Sequence, residues 1–260
     1  MKRVDVNTDT GESFGRWRLG DDESLLRYVS SANIACGMHA GDPLVMDGTV
    51  AACAKHGVAA GAHPGFPDLQ GFGRREFKMS PAEIEAYVMY QVGALRPFLD
   101  SRGLVMTHVK AHGSLYNMAS VQDEMALAIA RGVARSTRKG ERLVLVGLSG
   151  SRLLWAGEKA GVPTAAEGFC DRAYGAGGNL VPRGMPGSVI TDLDQIAARA
   201  VGMVRDGRLT AADGSQLELK VDTVCIHSDT PGATRIAEAV NGAFRAAAIE
   251  IVQLHKVLGL

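Results

Sequence analysis

The chemistry of this chain is concentrated in a few short stretches. In His108-Val109-Lys110-Ala111-His112-Gly113, two imidazoles and an ammonium recur at every second position before a glycine breaks the run. An extended strand turns alternate side chains to one face, so His108, Lys110 and His112 point together while Val109 and Ala111 point away. Three such groups on one face suit acid and base work around a fixed cation. The same lysine can hold a carboxylate or phosphate. Asp5-Val6-Asn7-Thr8-Asp9 repeats the period, gathering two carboxylates and an amide on one face. Neighbouring carboxylates repel, so the row asks for a cation, a basic partner or protonation of one member. A calcium loop is excluded, because Thr10 and Arg16 stand where that loop needs glycine and glutamate.

Of the seven histidines, His56 precedes Gly57 at an expected helix end and His255 lies near the C-terminus, so both read as structural. His39, His63, His108, His112 and His227 instead follow or end expected strands, and Asp229 stands two residues beyond the last of them. Imidazoles and carboxylates at one rim can act as acids and bases or hold a divalent metal, for which Asp5, Asp9, His39 and His63 are the candidate ligands. Neither a helical HExxH pair nor a cysteine cluster supports the metal, and the sequence leaves both roles open. Candidate substrate-binding groups are Asn7, Glu12, His39, His63, Arg75, Asn117 and His227, with Arg74-Arg75 on a glycine-rich loop as an anion clamp. Gly11-Glu12-Ser13-Phe14-Gly15 spells GxSxG, but no helix can start at Ser13 in the polar stretch that follows, so the match is fortuitous. Cys36 reads as a buried thiol rather than a nucleophile. No GxxxxGK[ST] phosphate loop occurs.

These groups need a scaffold that brings distant segments to one place. Short β-branched runs near 4–7, 33–36, 58–61, 105–110, 143–147, 163–167 and 223–227, with one more at 250–254, alternate with amphipathic stretches. Asp42-Pro43 and the capping box Ser80-Pro81-Ala82-Glu83 open two helices, and Thr230-Pro231 opens a third that runs to about Ala247. Such alternation predicts a mainly parallel sheet in a single domain over 1–260, with its site at the carboxyl ends of the strands. Polar groups contributed from both ends of the chain to one rim favour a closed β/α barrel over an open sheet. The 28 basic and 28 acidic residues cancel, which gives no footprint for nucleic acid or an anionic membrane. Residues 4–9 are too polar for a signal peptide and no apolar run is long enough to span a membrane, so a cytoplasmic protein with free cysteines is expected.

Taken in order, DVNTDTGESFG, SANIACGMHAGD, GAHPGFPDLQGFGRR, HVKAHGSLYN, LVPRGMPGSVI and HSDTPGA resemble the LamB/YcsF lactam-utilisation family, from about residue 2 to residue 250. Bacterial members of that family are the A component of ATP-hydrolysing 5-oxoprolinase. The resemblance implies an irregular, TIM-like and deacetylase-like barrel of seven strands. It also implies the conversion of 5-oxo-L-proline, ATP and water to L-glutamate, ADP and phosphate, with ATP as co-substrate and subunits B and C as partners. In that reaction His108 and His112 would serve as base and acid, and Asp5, Asp9 and Asp229 would orient them or a metal. Lys110 and Asn7 would stabilise negative charge at the reacting centre. Two other classes compete: a stand-alone metal-dependent amidase or deacetylase, and a non-catalytic substrate-binding or activating subunit.

Overall fold

The computed structural model describes residues 1–260. Seven parallel strands close into a barrel in the order β1 (Lys2–Thr10), β2 (Ser31–Ala35), β3 (Ala59–His63), β4 (Met106–Lys110), β5 (Val144–Leu148), β6 (Thr164–Phe169) and a seventh strand at Thr223–Ile226, which pairs back to β1. The first strand makes closure possible because it is long. Its residues 5–8 pair with the seventh barrel strand and residues 7–10 pair with β2. The barrel is irregular between β3 and β4, where the register shifts between Ala60 and Ala62. The shift accommodates the large imidazole of His108 opposite Gly61, where a Cβ would overlap the His108 ring.

The helices between strands follow their punctuation. Asp42 Oδ1 accepts from Leu44 N at 2.8 Å and Val45 N at 3.0 Å, which starts α2 (Pro43–His56); α1 is the short turn Asp22–Leu25. Ser80 and Glu83 close a reciprocal capping box ahead of α3 (Pro81–Asp100), satisfying two N–H groups that the first turn leaves without partners. Next come α4 (Gly113–Ala119), α5 (Asp123–Ser136), α6 (Arg152–Lys159) and α7 (Leu193–Val201). After α7 an outer antiparallel hairpin, β7 (Arg208–Thr210) and β8 (Gln216–Glu218), which the sequence pattern does not signal, precedes the seventh barrel strand, β9.

Helix α8 (Ala233–Ala246) starts later than Thr230-Pro231 suggests. Thr230 N turns back to His227 O at 3.4 Å, and the left-handed Gly232 (φ 81°) ends that turn before the helix begins. The expected last strand shortens to β10 (Ile249–Ile251), which pairs with the start of β1 outside the barrel, and the chain ends in α9 (Leu254–Leu258). Leu254 packs with Val144, Val146 and Ala165, while Gln253 Nε2 donates to Gly57 O and His255 bonds Arg142 O, so α9 seals the end of the barrel where the strands begin.

Two environments result from the strand period. Val4, Val6, Ile34, Val109, Leu145 and Val224 are fully buried and join apolar residues of the helices, including Val88 and Leu95 of α3 and Val240 and Phe244 of α8. Each side chain of this size contributes roughly 2 kcal/mol through burial. On the inner face stand Asp5, Asn7, Asn33, His108, Lys110, Glu167 and Thr223, all buried. A polar interior of this kind persists only if its groups satisfy one another.

Candidate active site

The inner face is a ladder of hydrogen bonds that climbs towards the carboxyl ends of the strands. At the bottom, Asp5 Oδ1 accepts from Ser30 Oγ at 2.7 Å and Ser31 Oγ at 2.6 Å, and its Oδ2 accepts from Thr223 Oγ1 at 2.6 Å. Burial outweighs these donors and pushes the Asp5 carboxyl up to about 6. Beside it, His108 bonds Asn33 Oδ1 and Thr107 Oγ1, both at 2.8 Å; burial first, and neighbouring positive groups second, push it down to about 3. One level higher, Lys110 Nζ lies 2.8 Å from Glu167 Oε1, 3.0 Å from Asp9 Oδ1, 3.2 Å from Asn7 Oδ1 and 3.1 Å from Cys225 Sγ. Burial works against this ammonium, but Asp9, Cys225 and Glu167 together hold its pKa well above the usual lysine value. Glu167 is steadied on its other side by Asn7 Nδ2 at 3.0 Å and by the Tyr116 hydroxyl at 2.7 Å.

At the top of the ladder His63, His112, His39 and Glu12 meet, and here the hydrogen bonds constrain the protons. His63 Nδ1 is 2.7 Å from the carbonyl of Lys110 and His112 Nε2 is 2.8 Å from the carbonyl of Phe72. Carbonyls only accept, so both nitrogens carry hydrogen. The remaining nitrogens, His63 Nε2 and His112 Nδ1, face each other at 3.0 Å. Each also faces a carboxylate oxygen, Asp9 Oδ1 at 3.4 Å and Glu12 Oε1 at 3.2 Å respectively. Two neutral rings would aim lone pairs at one another and at two acceptors, so this arrangement needs a cation between them: a proton shared by the pair, or a metal ion.

The surroundings fix that geometry. His39 stacks on His112 at 3.7 Å between ring centroids, and its Nε2 lies 3.2 Å from Glu12 Oε1. Its Nδ1 is buried without a partner, and burial, then His112, pushes the ring down to about 3. Although burial raises the Glu12 carboxyl, His112 and His39 hold it far below the usual range. Burial likewise opposes ionisation of Asp9, where His63 and Lys110 prevail and keep its pKa well below normal. Phe72 takes a left-handed backbone (φ 54°) that costs a bulky residue ~1–2 kcal/mol, and in that conformation its carbonyl accepts from His112. Gly113, also left-handed (φ 57°), lets the chain turn after His112, since a Cβ there would meet Gly73 O at 2.5 Å. That close approach explains why the alternation in this stretch breaks at a glycine.

Glu12, His39, His63 and His112 offer ligand atoms within 4.8 Å of one another, so they could hold a metal ion. Their chemistry fits one: three imidazoles and a carboxylate, with two of the rings oriented by backbone carbonyls. A second group, Asp9, Cys225 and His227, fits worse. The Lys110 ammonium sits against both Asp9 and Cys225, and burial pushes the Cys225 thiol well above its ordinary range, so the soft ligand stays protonated.

Above the ladder opens a cavity of about 500 Å³. Asp9, Glu12, His63, Lys110, His112, Asn117, His227 and Asp229 line it. Asn7 lies just below and His39 lies behind His112. Asp5 and His108 are deeper still and fully buried, so the suggested ligand set of Asp5, Asp9, His39 and His63 does not assemble, and His63 rather than His108 stands beside His112. Arg75 turns away to Asp68, its Nε donating to Oδ1 at 2.8 Å, while Arg74 reaches the cavity and pairs with Asp229. Ser13 bonds Leu19 N at 3.0 Å, and burial raises the Cys36 thiol to about 12, so neither is an activated nucleophile.

Sequence reasoning missed Glu167, Tyr116, Arg172 and Asp171, which bonds His227 Nδ1 at 2.9 Å. A lone acid in the small apolar strand Thr-Ala-Ala-Glu167-Gly-Phe was the available signal for the first, because a buried carboxylate demands a buried partner. No comparable pattern marks the other three.

The sequence profile of the LamB/YcsF family matches residues 4–259. The A component of 5-oxoprolinase from Geobacillus kaustophilus is 50% identical over 251 residues, covering 96% of each chain. Its counterpart from Pyrococcus abyssi is 47% identical over 257 residues, covering 99% of this chain and all of the relative. The crystal structure of a lactam utilization protein from Thermus thermophilus superposes with a TM-score of 0.90 at 46% identity, covering 96% of this chain and 99% of that one. The barrel and its inner ladder are therefore those of a member of the LamB/YcsF family, to which this chain belongs.

Proposed function

We propose that this chain is the A component of an ATP-hydrolysing 5-oxoprolinase, opening the lactam of 5-oxo-L-proline to L-glutamate together with partner subunits B and C. The observation that carries this reading is the convergence of Glu12, His63, His112 and Lys110 at the floor of one cavity. A five-membered lactam is a resonance-stabilised amide that closes again readily, so coupling to ATP drives the opening. The chain has no phosphate loop of its own, which agrees with nucleotide handling shared with partners. One imidazole of the His63–His112 pair would take a proton from the attacking water and pass it to the ring nitrogen as the C–N bond breaks. Glu12 orients His112 and balances its charge, as a carboxylate does for a catalytic imidazole. Lys110 stabilises negative charge on the carbonyl oxygen. A divalent ion, when loaded, would be held by Glu12, His39, His63 and His112, and would supply Lewis-acid polarisation and a more acidic water.

Turnover of 5-oxoproline and ATP by the assembled enzyme tests this. His112→Ala should lower kcat by ~10²–10⁴-fold, the usual contribution of a positioned acid or base; wild-type turnover by a folded variant would remove His112 from the scheme. The ligand-like cluster favours one second reading, a metal-dependent amidase that works without ATP. Glutamate formed by this chain alone with a divalent ion would select it.

A further inference from the structure

Arg172 is only 4% exposed, yet it opens onto the cavity. Its Nε donates to Ser188 O at 3.1 Å and its Nη2 to Val181 O at 2.6 Å, and its Nη1 donates to no group of the protein. Two carbonyl dipoles fix the guanidinium without neutralising it, and a buried arginine does not shed its proton. Arg74 and Arg183 line the same wall. They share one carboxylate, Asp229, with Arg183 Nη2 4.0 Å from Oδ1 and Arg74 on Oδ2. The remaining acids do not complete the balance. Asp171, with Oδ2 2.9 Å from His227 Nδ1 and Oδ1 without a hydrogen-bond partner, offsets part of the charge on Arg172 and Arg183, and Glu76 opens onto the cavity from an exposed position without pairing to any of the three. Burial, then Arg183, pushes the Arg172 guanidinium down to about 10 against the opposing pull of Asp171. The amides of Asn117 and Asn179 add neutral donors to the wall.

We propose that Arg74, Arg172 and Arg183 form an oxyanion subsite that takes the carboxylate of a cyclic amino-acid substrate. The assignment rests on the lactam reading above and adds what that reading leaves open, namely how a lactam bearing a carboxylate is told from one without. A planar guanidinium with a free edge matches a carboxylate in geometry and charge. Holding that group at the wall leaves the lactam ring to face the imidazoles and Lys110.

Calorimetric titration of the full chain decides it, with 5-oxo-L-proline, 2-pyrrolidinone (the same ring without the carboxylate) and inorganic phosphate as probes. The wild-type chain should bind 5-oxoproline about 10- to 100-fold more tightly than 2-pyrrolidinone, as expected for charge-assisted hydrogen bonds. In Arg172→Gln and in the more exposed Arg183→Gln, that ratio should collapse towards one while 2-pyrrolidinone binding is kept. A ratio unchanged in both variants overturns the proposal. So does phosphate binding that both variants lose while the lactam ratio persists, because the subsite then serves a phosphoryl group. Equal wild-type affinity for the two rings overturns the subsite alone, whereas binding of neither ring, by the chain or by its complex with subunits B and C, overturns the lactam reading and the subsite with it.

Discussion

Replacing Lys110 with methionine isolates the electrostatics at the centre of the barrel. The ammonium is 3% exposed and lies 2.8 Å from Glu167 and 3.0 Å from Asp9. At an effective dielectric of ~20 each pair attracts by ~6 kcal/mol, much of it offset by the desolvation of three charges. Removing only the cation forfeits the attraction and leaves two carboxylates buried, so Lys110→Met should cost about 3–5 kcal/mol. For a chain of this size that corresponds to a fall in Tm of about 10 °C. The raised pKa of Lys110 means its contribution is fully present below the normal lysine value and is lost only above the folded one, so it is constant from pH 5 to 8 in the wild type. In the variant Asp9 loses one of the cations that hold its carboxyl low, so the deficit should shrink as the pH falls from 7 to 5. Adding Glu167→Gln should recover ~2 kcal/mol or more of the loss, a coupling between contacting groups. Urea denaturation of the four species in this cycle at pH 5 and 7 measures each quantity. Additive losses, or a deficit below ~1 kcal/mol, would show that the ion pairs are as weak as exposed ones, refuting the argument that Lys110 balances the interior.

Asp5→Asn should change the pH dependence of stability. Because burial raises the folded carboxyl to about 6 from 3.8, its proton stabilises the fold at low pH and that stability is lost as pH rises through 6; relative to wild type, the variant should gain about 2 kcal/mol between pH 4 and 7, measured by urea denaturation, and a constant difference would contradict this. Gly61→Ala drives a methyl group into the His108 ring and should cost ~1–3 kcal/mol by thermal denaturation, the range for overpacking. Zinc or another divalent ion titrated into the full chain should bind with a stoichiometry of one at Glu12, His39, His63 and His112; Glu12→Gln should weaken it by ~10-fold or more, and calorimetry with elemental analysis would show if it does not.

What was legible in the sequence follows from what a strand period encodes. Alternation in His108-Val109-Lys110-Ala111-His112 and in Asp5-Val6-Asn7-Thr8-Asp9 assigns each side chain a face, and both sets do point into the barrel. Height along the axis is another matter, because it depends on register between strands. Asp9 pairs with Asn33 and His108 pairs with Val144, which places His108 below the cavity and leaves His63, brought up by the shift between β3 and β4, beside His112. Loop conformation hid the rest. Arg74 and Arg75 are adjacent, but the turn through left-handed Phe72 and Gly73 sends one to Asp229 and the other to Asp68.

The inner ladder also constrains how mutational data on this barrel must be interpreted. Stability comes mainly from the apolar shell between strands and helices, where Val4, Val109, Leu145 and Val224 meet α3 and α8. The charged interior adds little as a complete set, because Coulomb attraction and desolvation nearly cancel. Removing one member is different, since its partners lose their counter-charge or donor. Lys110, Glu167 and Asp9 will therefore lower turnover and stability together when substituted singly. The same holds for Glu12, His63 and His112, which are as buried as Lys110 and Asp9 and whose removal leaves a carboxylate or imidazole without its partner. Turnover measured on any of these variants therefore reports on chemistry only after its loss of folded protein has been subtracted.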